Sequence, residues 1–290
     1  MTGEMLSEPR RRRGGHILLY ALIGALALKL LFLEAFRIPS ASMENTLLAG
    51  DFIIVNKLVY GVQTPKYLPF SRIEIPHVRF PAIAQPHRGD VIVFEFPGER
   101  DEVKAQPQAN YVKRCIALPG DTVEIRNTTV FVNHQLFSTP STSITGETSM
   151  FAPNEPYDGI FPEGSSFNPD YYGPLVVPYK GMVISLSPKN YKRWKIFIER
   201  EHHTIFENNS GGIVLDGTST ERYSVEHNYY FMMGDNRNNS LDSRFWGFVP
   251  DDNIIGKAVM VYWSWDTLPA QKLWKKFSSV RWRRIGMIIQ

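Results

Sequence analysis

Cysteine is almost absent from this 290-residue chain, in which Cys115 stands alone. A single cysteine excludes an internal disulfide framework and any cysteine-rich metal site. The seven histidines do not form the His-Glu-x-x-His pattern of zinc proteases, and the chain has neither a phosphate-binding P-loop nor a dinucleotide-binding glycine fingerprint. We therefore expect a protein that works without a metal or a cofactor.

Acidic residues are scarce at both ends of the chain. Residues 1–15 contain four arginines, Arg10 to Arg13, and two glutamates, whereas residues 271–290 contain six Lys and Arg and no acid. The segment between them carries 22 basic and 27 acidic residues, so it is acidic although the whole chain has a net charge of +3. This distribution argues against a nucleic-acid-binding domain and favours contact between the basic ends and membrane surfaces.

One long hydrophobic run lies near the N-terminus and reads ILLYALIGALALKLLFLEAF from Ile17 to Phe36. About twenty helical residues span the roughly 30 Å hydrocarbon core of a bilayer. We predict a single transmembrane helix over residues 16–36, preceded by a cytoplasmic basic segment over residues 1–15, because arginines favour the cytoplasmic side. The alternative is a cleaved signal peptide, whose apolar region is normally shorter.

Beyond the apolar run the sequence predicts a mainly β protein. Short runs rich in valine and aromatic residues end at turn residues, as Tyr111–Leu118 does before a Pro-Gly-Asp turn. We expect an antiparallel β-sheet domain built from residues 37–126 and 231–265.

Other segments indicate additions to this sheet domain. Residues 127–230 have the features of an inserted α+β subdomain, with a hairpin and one helix from Ser187 to about Glu201. The basic tail, residues 266–290, alternates bulky apolar and basic residues, so it either lies on a lipid surface or packs against the core. The apolar residues of the proline-rich loop over residues 61–89 likewise either contact lipid or cover the core.

Two small stretches contain groups that can perform chemistry. Ser40 and Ser42 stand directly after the apolar run, where they form either a short linker or a cleavage site, or supply a nucleophile. Lys113 lies within a predicted strand, and a lysine there is more often a surface residue. Lowering a lysine pKa from about 10.4 to about 7.5 requires roughly 4 kcal/mol, which burial can supply. A neutral lysine could then accept the proton of a serine hydroxyl.

A third stretch, FMMGDNRNNSLDSRFWGFVP at residues 231–250, is dense in Asp, Asn, Arg and Ser. Its charged residues suggest two bidentate pairs, Asp235 with Arg237 and Asp242 with Arg244. The alternative is a polar surface loop. Flanking methionines and aromatic residues favour partial burial, and a buried polar cluster requires nearly complete hydrogen bonding.

These stretches together resemble the bacterial type I signal peptidases, or leader peptidases. The motifs that carry the resemblance are IPSASM (38–43), RGDVIVFEFP (88–97), YVKRCIALPGD (111–121) and GDNRNNSLDSRFWGFVP (234–250). The similarity covers about residues 16 to 265, and four motifs in the family's order are more specific than any one alone. Ala41, Asn45 and Asn238 differ from the residues that are common at these positions in the family. The serine and the lysine that match the family's motifs are both present.

The resemblance implies a role for each matched residue. Ser42 would be the nucleophile, Lys113 the general base, and Ser240 the group that orients the lysine. The Ser42 N–H and the Ser40 hydroxyl would form the oxyanion hole. Four charged residues would support the site, namely Asp235, Arg237, Asp242 and Arg244. Four other residues would surround the base with apolar groups, namely Met43, Tyr111, Met232 and Met233.

The same resemblance implies a membrane-anchored serine endopeptidase that removes signal peptides after small-x-small motifs through an acyl-enzyme. Its partners would be exported precursor proteins and the lipid bilayer, with no nucleic acid, and the protein would be a monomer. The catalytic domain would lie on the extracytoplasmic side of the inner membrane. Three alternatives remain open at this point. The first is a catalytically silent anchored binding module, and the second is a relative with the same dyad that cuts itself, which the predicted anchor disfavours. The third is catalysis by Cys115, which the lack of a companion histidine disfavours.

Overall fold

The computed structural model describes most of the chain, namely residues 16–17, 19–21, 24, 32–64, 75–76, 78–103, 109–138, 140, 143–144, 149–267 and 278–290. The predicted cytoplasmic segment 1–15 lies outside these residues, as do much of the predicted anchor and residues 268–277 of the tail.

A seven-stranded antiparallel sheet forms the centre of the fold. In spatial order its strands are Leu33–Arg37 (β1), Asp51–Asn56 (β2), Ile254–Ser264 (β16), Val91–Glu95 (β3), Asn110–Ala117 (β4), Tyr229–Met233 (β14) and Val249–Pro250 (β15). Strands from residues 33–117 and 229–264 therefore meet in one sheet. This confirms the mainly antiparallel β architecture.

Smaller sheets and a helix make up the intervening chain, and a second, short helix follows β14. The strands are Thr122–Arg126 (β5), Thr129–Val132 (β6), Gln135–Leu136 (β7) and Tyr172–Val176 (β8) in one sheet, Val183–Ser185 (β9) with Arg222–Ser224 (β13) in a second, and Ile205–Glu207 (β10), Ile213–Leu215 (β11) and Thr218–Ser219 (β12) in a third. The helices are Tyr191–Arg200 (α1) and Ser243–Trp246 (α2), and 3-10 turns cover Arg237–Asn239, Asp251–Asn253 and Trp282–Arg284. The domain boundaries at residues 126 and 127 stay a prediction, although β5 pairs with β6 and β8 and not with the large sheet.

The predicted helix of the insert is present but starts later than the sequence suggests. The amide of Ser187 donates to Asn190 Oδ1 at 2.8 Å, and that of Tyr191 donates to the Ser187 carbonyl at 2.9 Å. These bonds close a turn around Pro188, so α1 begins only at Tyr191.

Residues 33–37 of the apolar run form a strand and not the end of a helix. Leu33–Arg37 pairs antiparallel with Phe52–Asn56. The prediction that the anchor helix reaches residue 36 is therefore wrong at its C-terminal end, because this backbone is committed to sheet hydrogen bonds. Residues 16, 17, 19–21 and 24 are helical. Within the described residues, no helix is both long and apolar enough to cross a bilayer.

The described end of the tail packs against β16. Within β16, only Ile254–Lys257 pairs with β3, so the rest of that edge of β16 is open to another segment. The Val261 amide donates to the Met287 carbonyl at 2.9 Å, and Val280 and Ile289 are buried. Of the two alternatives for the tail, packing against the core therefore applies to residues 280–289.

A buried carboxylate holds this C-terminal segment in place. Asp51 is 0% exposed and accepts hydrogen bonds from Arg284 Nη2 at 2.6 Å and from Ser264 Oγ at 2.6 Å. Arg284 also donates to the Thr46 carbonyl at 2.9 Å, which links the tail to the loop between β1 and β2. The basic residues of the tail thus include at least one with a structural role.

We predict that Arg284→Ala destabilises the fold by about 2 kcal/mol, since a buried carboxylate loses its charged partner. The neighbouring exposed arginine provides a matched control, and Arg283→Ala should leave stability unchanged. Thermal denaturation followed by circular dichroism compares the two variants with the parent. Equal midpoints for all three proteins would contradict a structural role for Arg284.

Candidate active site

A cleft of about 590 Å³ brings together residues that are distant in sequence. It is lined by Phe36, Arg37, Ile38, Pro39, Ser40, Ser42, Met43, Val93, Asn110, Tyr111, Val112, Lys113, Tyr157, Asn238, Asn239, Ser240, Leu241 and Phe245. Six of the residues singled out from the sequence are in this set: Ser40, Ser42, Met43, Tyr111, Lys113 and Ser240. The cleft is therefore where a reaction involving these groups can take place.

Ser42 sits in a tight turn that follows β1. The Glu44 amide donates to the Ala41 carbonyl at 3.0 Å, and the Leu47 amide donates to the Met43 carbonyl at 2.7 Å. Met43 and Leu47 are 1% and 0% exposed, so they anchor the turn in the core while Ser42 faces the cleft. The hydroxyl oxygens of Ser40 and Ser42 lie 3.4 Å apart.

The turn also explains one departure from the family motif. Asn45 has a φ of 73°, in the left-handed region that asparagine tolerates better than most residues. Proline, which is common at the corresponding position, cannot adopt this angle because its ring holds φ near −65°. The turn after Ser42 is therefore built around asparagine in this chain.

Lys113 is a buried lysine on β4. Its side chain is 3% exposed, and its Nζ donates to Ser240 Oγ at 3.1 Å. Burial lowers the pKa of Lys113 to about 8, against an opposing contribution from Asp242. The Tyr111 ring, whose centroid is 6.0 Å from Nζ, covers one side of the amine. The surface alternative for this lysine is excluded.

Gly234 brings the third stretch close to Ser42 and Ser240. A Cβ at this position would lie 2.2 Å from Ser240 Oγ and 2.5 Å from the Ser42 carbonyl oxygen. Only hydrogen fits there. The next residues continue the contact, because the Asn236 amide donates to the Ser42 carbonyl at 3.0 Å and its side chain donates to the Ala41 carbonyl at 3.2 Å.

Asp235 forms an ion pair that the sequence did not predict. Its carboxylate accepts two bonds from Arg114, from Nε at 2.8 Å and from Nη2 at 2.6 Å, and both side chains are essentially inaccessible to solvent. Thr46 Oγ1 adds a third bond at 2.6 Å. The expected pair of Asp235 with Arg237 does not form, because Arg114 occupies the bidentate face of the carboxylate.

Asp242 and Arg244 form the bidentate pair expected from their sequence, with Nε–Oδ1 and Nη2–Oδ2 distances of 2.8 and 2.9 Å. The Arg244 guanidinium and the Gly234 amide both donate to this carboxylate, and together with nearby Lys113 they hold the pKa of Asp242 below its usual value against the effect of burial. Arg237 is buried, and burial lowers its pKa to about 10. Among the described residues, none accepts a hydrogen bond from its guanidinium.

The two methionines of β14 do not belong to the lining of the cleft. Met232 and Met233 are buried on β14 and pair with Cys115 and Arg114, but neither lines the cleft. Met43 and Tyr111 provide its apolar walls instead. Cys115 is 0% exposed, and burial raises the pKa of its thiol, so a thiolate nucleophile is disfavoured at this position.

Sequence reasoning missed several residues at the site. Arg114 follows Lys113 directly and Asn236 lies inside the third motif, so their places within the motifs could have identified them as site residues. Tyr157 gave none, because it comes from the insert and reaches the cleft only through the fold.

An accessible serine and a buried lysine line one cleft of an antiparallel β fold, and some serine hydrolases combine these two groups. Residues 11–263 match the sequence model of a family described as signal peptidase, peptidase S26. The chain belongs to this family and is a serine endopeptidase. A catalytically silent binding module is thereby disfavoured.

Named relatives extend over most of the chain. A signal peptidase I of Pseudomonas aeruginosa is 32% identical over 271 residues, which cover 89% of this chain and 74% of the relative. A signal peptidase I of Aquifex aeolicus is 33% identical over 246 residues, which cover 80% of this chain and 76% of the relative. A crystal structure of a signal peptidase I from Enterococcus faecalis V583 has a TM-score of 0.25 and 22% identity, and covers 61% of this chain and 98% of that one.

We predict that Gly234→Ala lowers kcat/KM for a cleavable precursor by about 10²-fold, because the added methyl group displaces Ser240 from Lys113. Gly212→Ala is the control, since a Cβ there meets only the side chain of Asn208. Peptidase assays on both variants, with circular dichroism to show that they fold, give the comparison. Unchanged kcat/KM for folded Gly234→Ala would mean that the close approach at residue 234 is not needed for activity.

Proposed function

We propose that this endopeptidase removes N-terminal signal peptides from exported precursor proteins by cutting after small-x-small motifs, with Ser42 as nucleophile and Lys113 as general base. One observation carries the proposal: a buried amine with a pKa of about 8 lies in the same cleft as an accessible serine. The relatives named signal peptidase I support the substrate class.

The proposed reaction has two steps. In the first, Ser42 Oγ turns from Ser40 towards Lys113 and attacks the scissile carbonyl carbon, while the neutral amine accepts the hydroxyl proton. The carbon–nitrogen bond then breaks, Lys113 returns the proton to the departing amine, and an ester on Ser42 remains. In the second step, Lys113 takes a proton from water, hydroxide attacks the ester, and the proton returns to Ser42 as the signal peptide leaves.

Two donors suit the oxyanion formed in each step. Within the described part of the chain, the Ser42 amide donates no hydrogen bond, so its N–H is available to the substrate. The Ser40 hydroxyl lies beside it, 3.4 Å from Ser42 Oγ. Donors fixed in place before the reaction stabilise developing charge without a reorganisation cost.

Free strand edges offer the substrate a place to bind. β1 is an edge strand of the large sheet, and β4 pairs with β14 only from Arg114 onward. The Asn110–Lys113 half of β4 therefore has an open edge, and it shares the cleft with the segment that follows β1. An extended peptide can add to such edges through main-chain hydrogen bonds. Buried Met43 and Ile38 nearby favour shallow pockets for small side chains.

We further propose that the chain is anchored with its N-terminus in the cytoplasm and its catalytic domain across the inner membrane, as a monomer. The arginines at 10–13 support the orientation. Ile17, Leu19 and Tyr20 are apolar and exposed, which suits contact with lipid. Because β1 begins at Leu33, the anchor ends before that residue. In the tail, whose backbone packs against β16, the Trp282 side chain is exposed and is also suited to contact with lipid.

We predict that Ser42→Ala and Lys113→Ala each reduce kcat/KM at least about 10³-fold on a precursor with a small-x-small site. The parent protein should gain activity as pH rises, reaching half its maximum near pH 8, because the neutral amine is the active form and the pKa of Lys113 is about 8. Rates in detergent from pH 6 to 10 test both statements. Lys180→Ala, which removes an exposed lysine, should keep the parent profile.

Activity that persists in either Ser42→Ala or Lys113→Ala would show that the nucleophile or the base has been misassigned. A parent profile that is still rising at pH 10 would show that Lys113 has an ordinary pKa.

A further inference from the structure

A group of metal-binding side chains lies outside the cleft, at the start of β14. His227 precedes this strand, and Asp251 and Asp252 stand in the 3-10 turn between β15 and β16. One ligand atom from each of the three side chains lies within 4.8 Å of the other two, and no further group of this kind occurs in the described part of the chain. The sequence alone does not predict the group, because the third motif separates the histidine from the two aspartates.

The spacing of these ligand atoms suits a tetrahedral metal ion better than a hydrogen bond. His227 Nδ1 lies 3.4 Å from Asp251 Oδ1 and 3.4 Å from Asp252 Oδ2. Charge-assisted N–H···O bonds are usually about 2.7–2.9 Å long, and one N–H directed between two acceptors is well aligned with neither. Zinc bonds of about 2.0–2.2 Å to nitrogen and oxygen, at tetrahedral angles, place neighbouring ligand atoms about 3.3–3.5 Å apart. Both distances from His227 Nδ1 fall in this range.

The Asp251 carboxylate contains a buried oxygen without a hydrogen-bond partner. Its Oδ1 is inaccessible to solvent and, among the described residues, accepts no hydrogen bond. Leaving a buried charged acceptor unsatisfied is costly. This oxygen is the one that lies 3.4 Å from His227 Nδ1, so a cation bound by both atoms would satisfy it.

Neighbouring groups hold the side chains in this arrangement. The His227 amide donates to Glu201 Oε1 at 3.0 Å. Arg79 Nη1 lies 3.4 Å from Asp252 Oδ1, and the same guanidinium donates to the Tyr60 carbonyl at 2.8 Å through Nη2. Arg79 therefore contacts one oxygen of Asp252, while the other oxygen faces His227. Outer contacts of this kind orient the ligands of a metal ion.

We propose that His227, Asp251 and Asp252 bind one Zn²⁺ ion, with water as the fourth ligand, and that the ion fastens the start of β14 to the turn before β16. Imidazole suits Zn²⁺, whereas Mg²⁺ and Ca²⁺ prefer oxygen ligands alone. All three side chains are partly exposed, which leaves room for the water. The site is structural, because none of its residues lines the cleft and no step of the proposed reaction uses them.

The experiment uses the untagged full-length protein in detergent, freed of metal with a chelator and then of the chelator by gel filtration. In an isothermal titration with zinc chloride at neutral pH we expect one Zn²⁺ per chain. Zinc at about 100 times the dissociation constant should raise the thermal unfolding midpoint by about 5 °C or more, because an ion that binds only the folded chain stabilises it. Magnesium chloride and calcium chloride should produce neither effect.

Variants locate the ion. His227→Ala and Asp252→Asn should each weaken zinc binding at least about tenfold, the loss that removal of even an outer-shell partner causes, and should abolish the rise in midpoint. His203→Ala is the matched control, because His203 also lies between two carboxylates. It contacts Asp216 through Nδ1 at 2.6 Å and Glu226 through Nε2 at 3.0 Å. These ring nitrogens point in opposite directions and cannot share one ion, so the control should keep zinc binding and the rise in midpoint.

Two results would overturn the proposal. One is a titration without zinc binding and an unfolding midpoint that zinc does not change, which would mean that the three side chains form only an ion pair around a protonated His227. The other is zinc binding that both His227→Ala and Asp252→Asn retain in full, which would place the ion elsewhere on the protein. Neither readout involves peptide cleavage, so the proposed function is tested separately.

Discussion

The geometry of the site depends on the hydrogen bonds that the buried Asp235 carboxylate accepts. It binds Arg114, the residue after Lys113, through two hydrogen bonds, and it binds Thr46, four residues after Ser42, through a third. One buried group therefore connects the lysine strand, the serine turn and the third motif. Loss of Arg114 would leave the Asp235 carboxylate buried without a compensating charge, which is costly, so these segments are held in one arrangement.

That arrangement also sets the surroundings of Lys113. The amine is fixed against Ser240 and enclosed by Tyr111, so desolvation favours its neutral form. The Asp242 carboxylate acts in the opposite direction, but it is occupied by Arg244, and the pKa of the lysine remains depressed. A base with a pKa near the working pH combines a useful neutral fraction with proton affinity. The packing of the polar cluster and the lowered pKa of Lys113 thus have the same origin.

Much of the sheet could be predicted because its strands are short apolar runs bounded by turn residues. The runs of β2, β3 and β4 are followed by glycine, proline or asparagine. The end of the predicted anchor could not be predicted, because the apolar residues of Leu33–Arg37 suit a helix as well as a strand. The pairing of this segment with β2 decides that it is a strand. The partner of Asp235 was missed for a related reason. Arg237 is two residues away and Arg114 is 121 residues away, and only the packing of β4 against β14 selects the distant arginine.

The most direct test of this account is a measurement of the Lys113 pKa itself. Carbon-13 NMR of protein labelled at the lysine ε-carbons, titrated from pH 6 to 12, would follow every lysine at once, and Lys113→Met would identify the resonance of interest. The account predicts one ε-carbon that titrates near pH 8 and disappears in the variant. A Lys113 resonance that titrates near the ordinary lysine value of about 10.4 would contradict it.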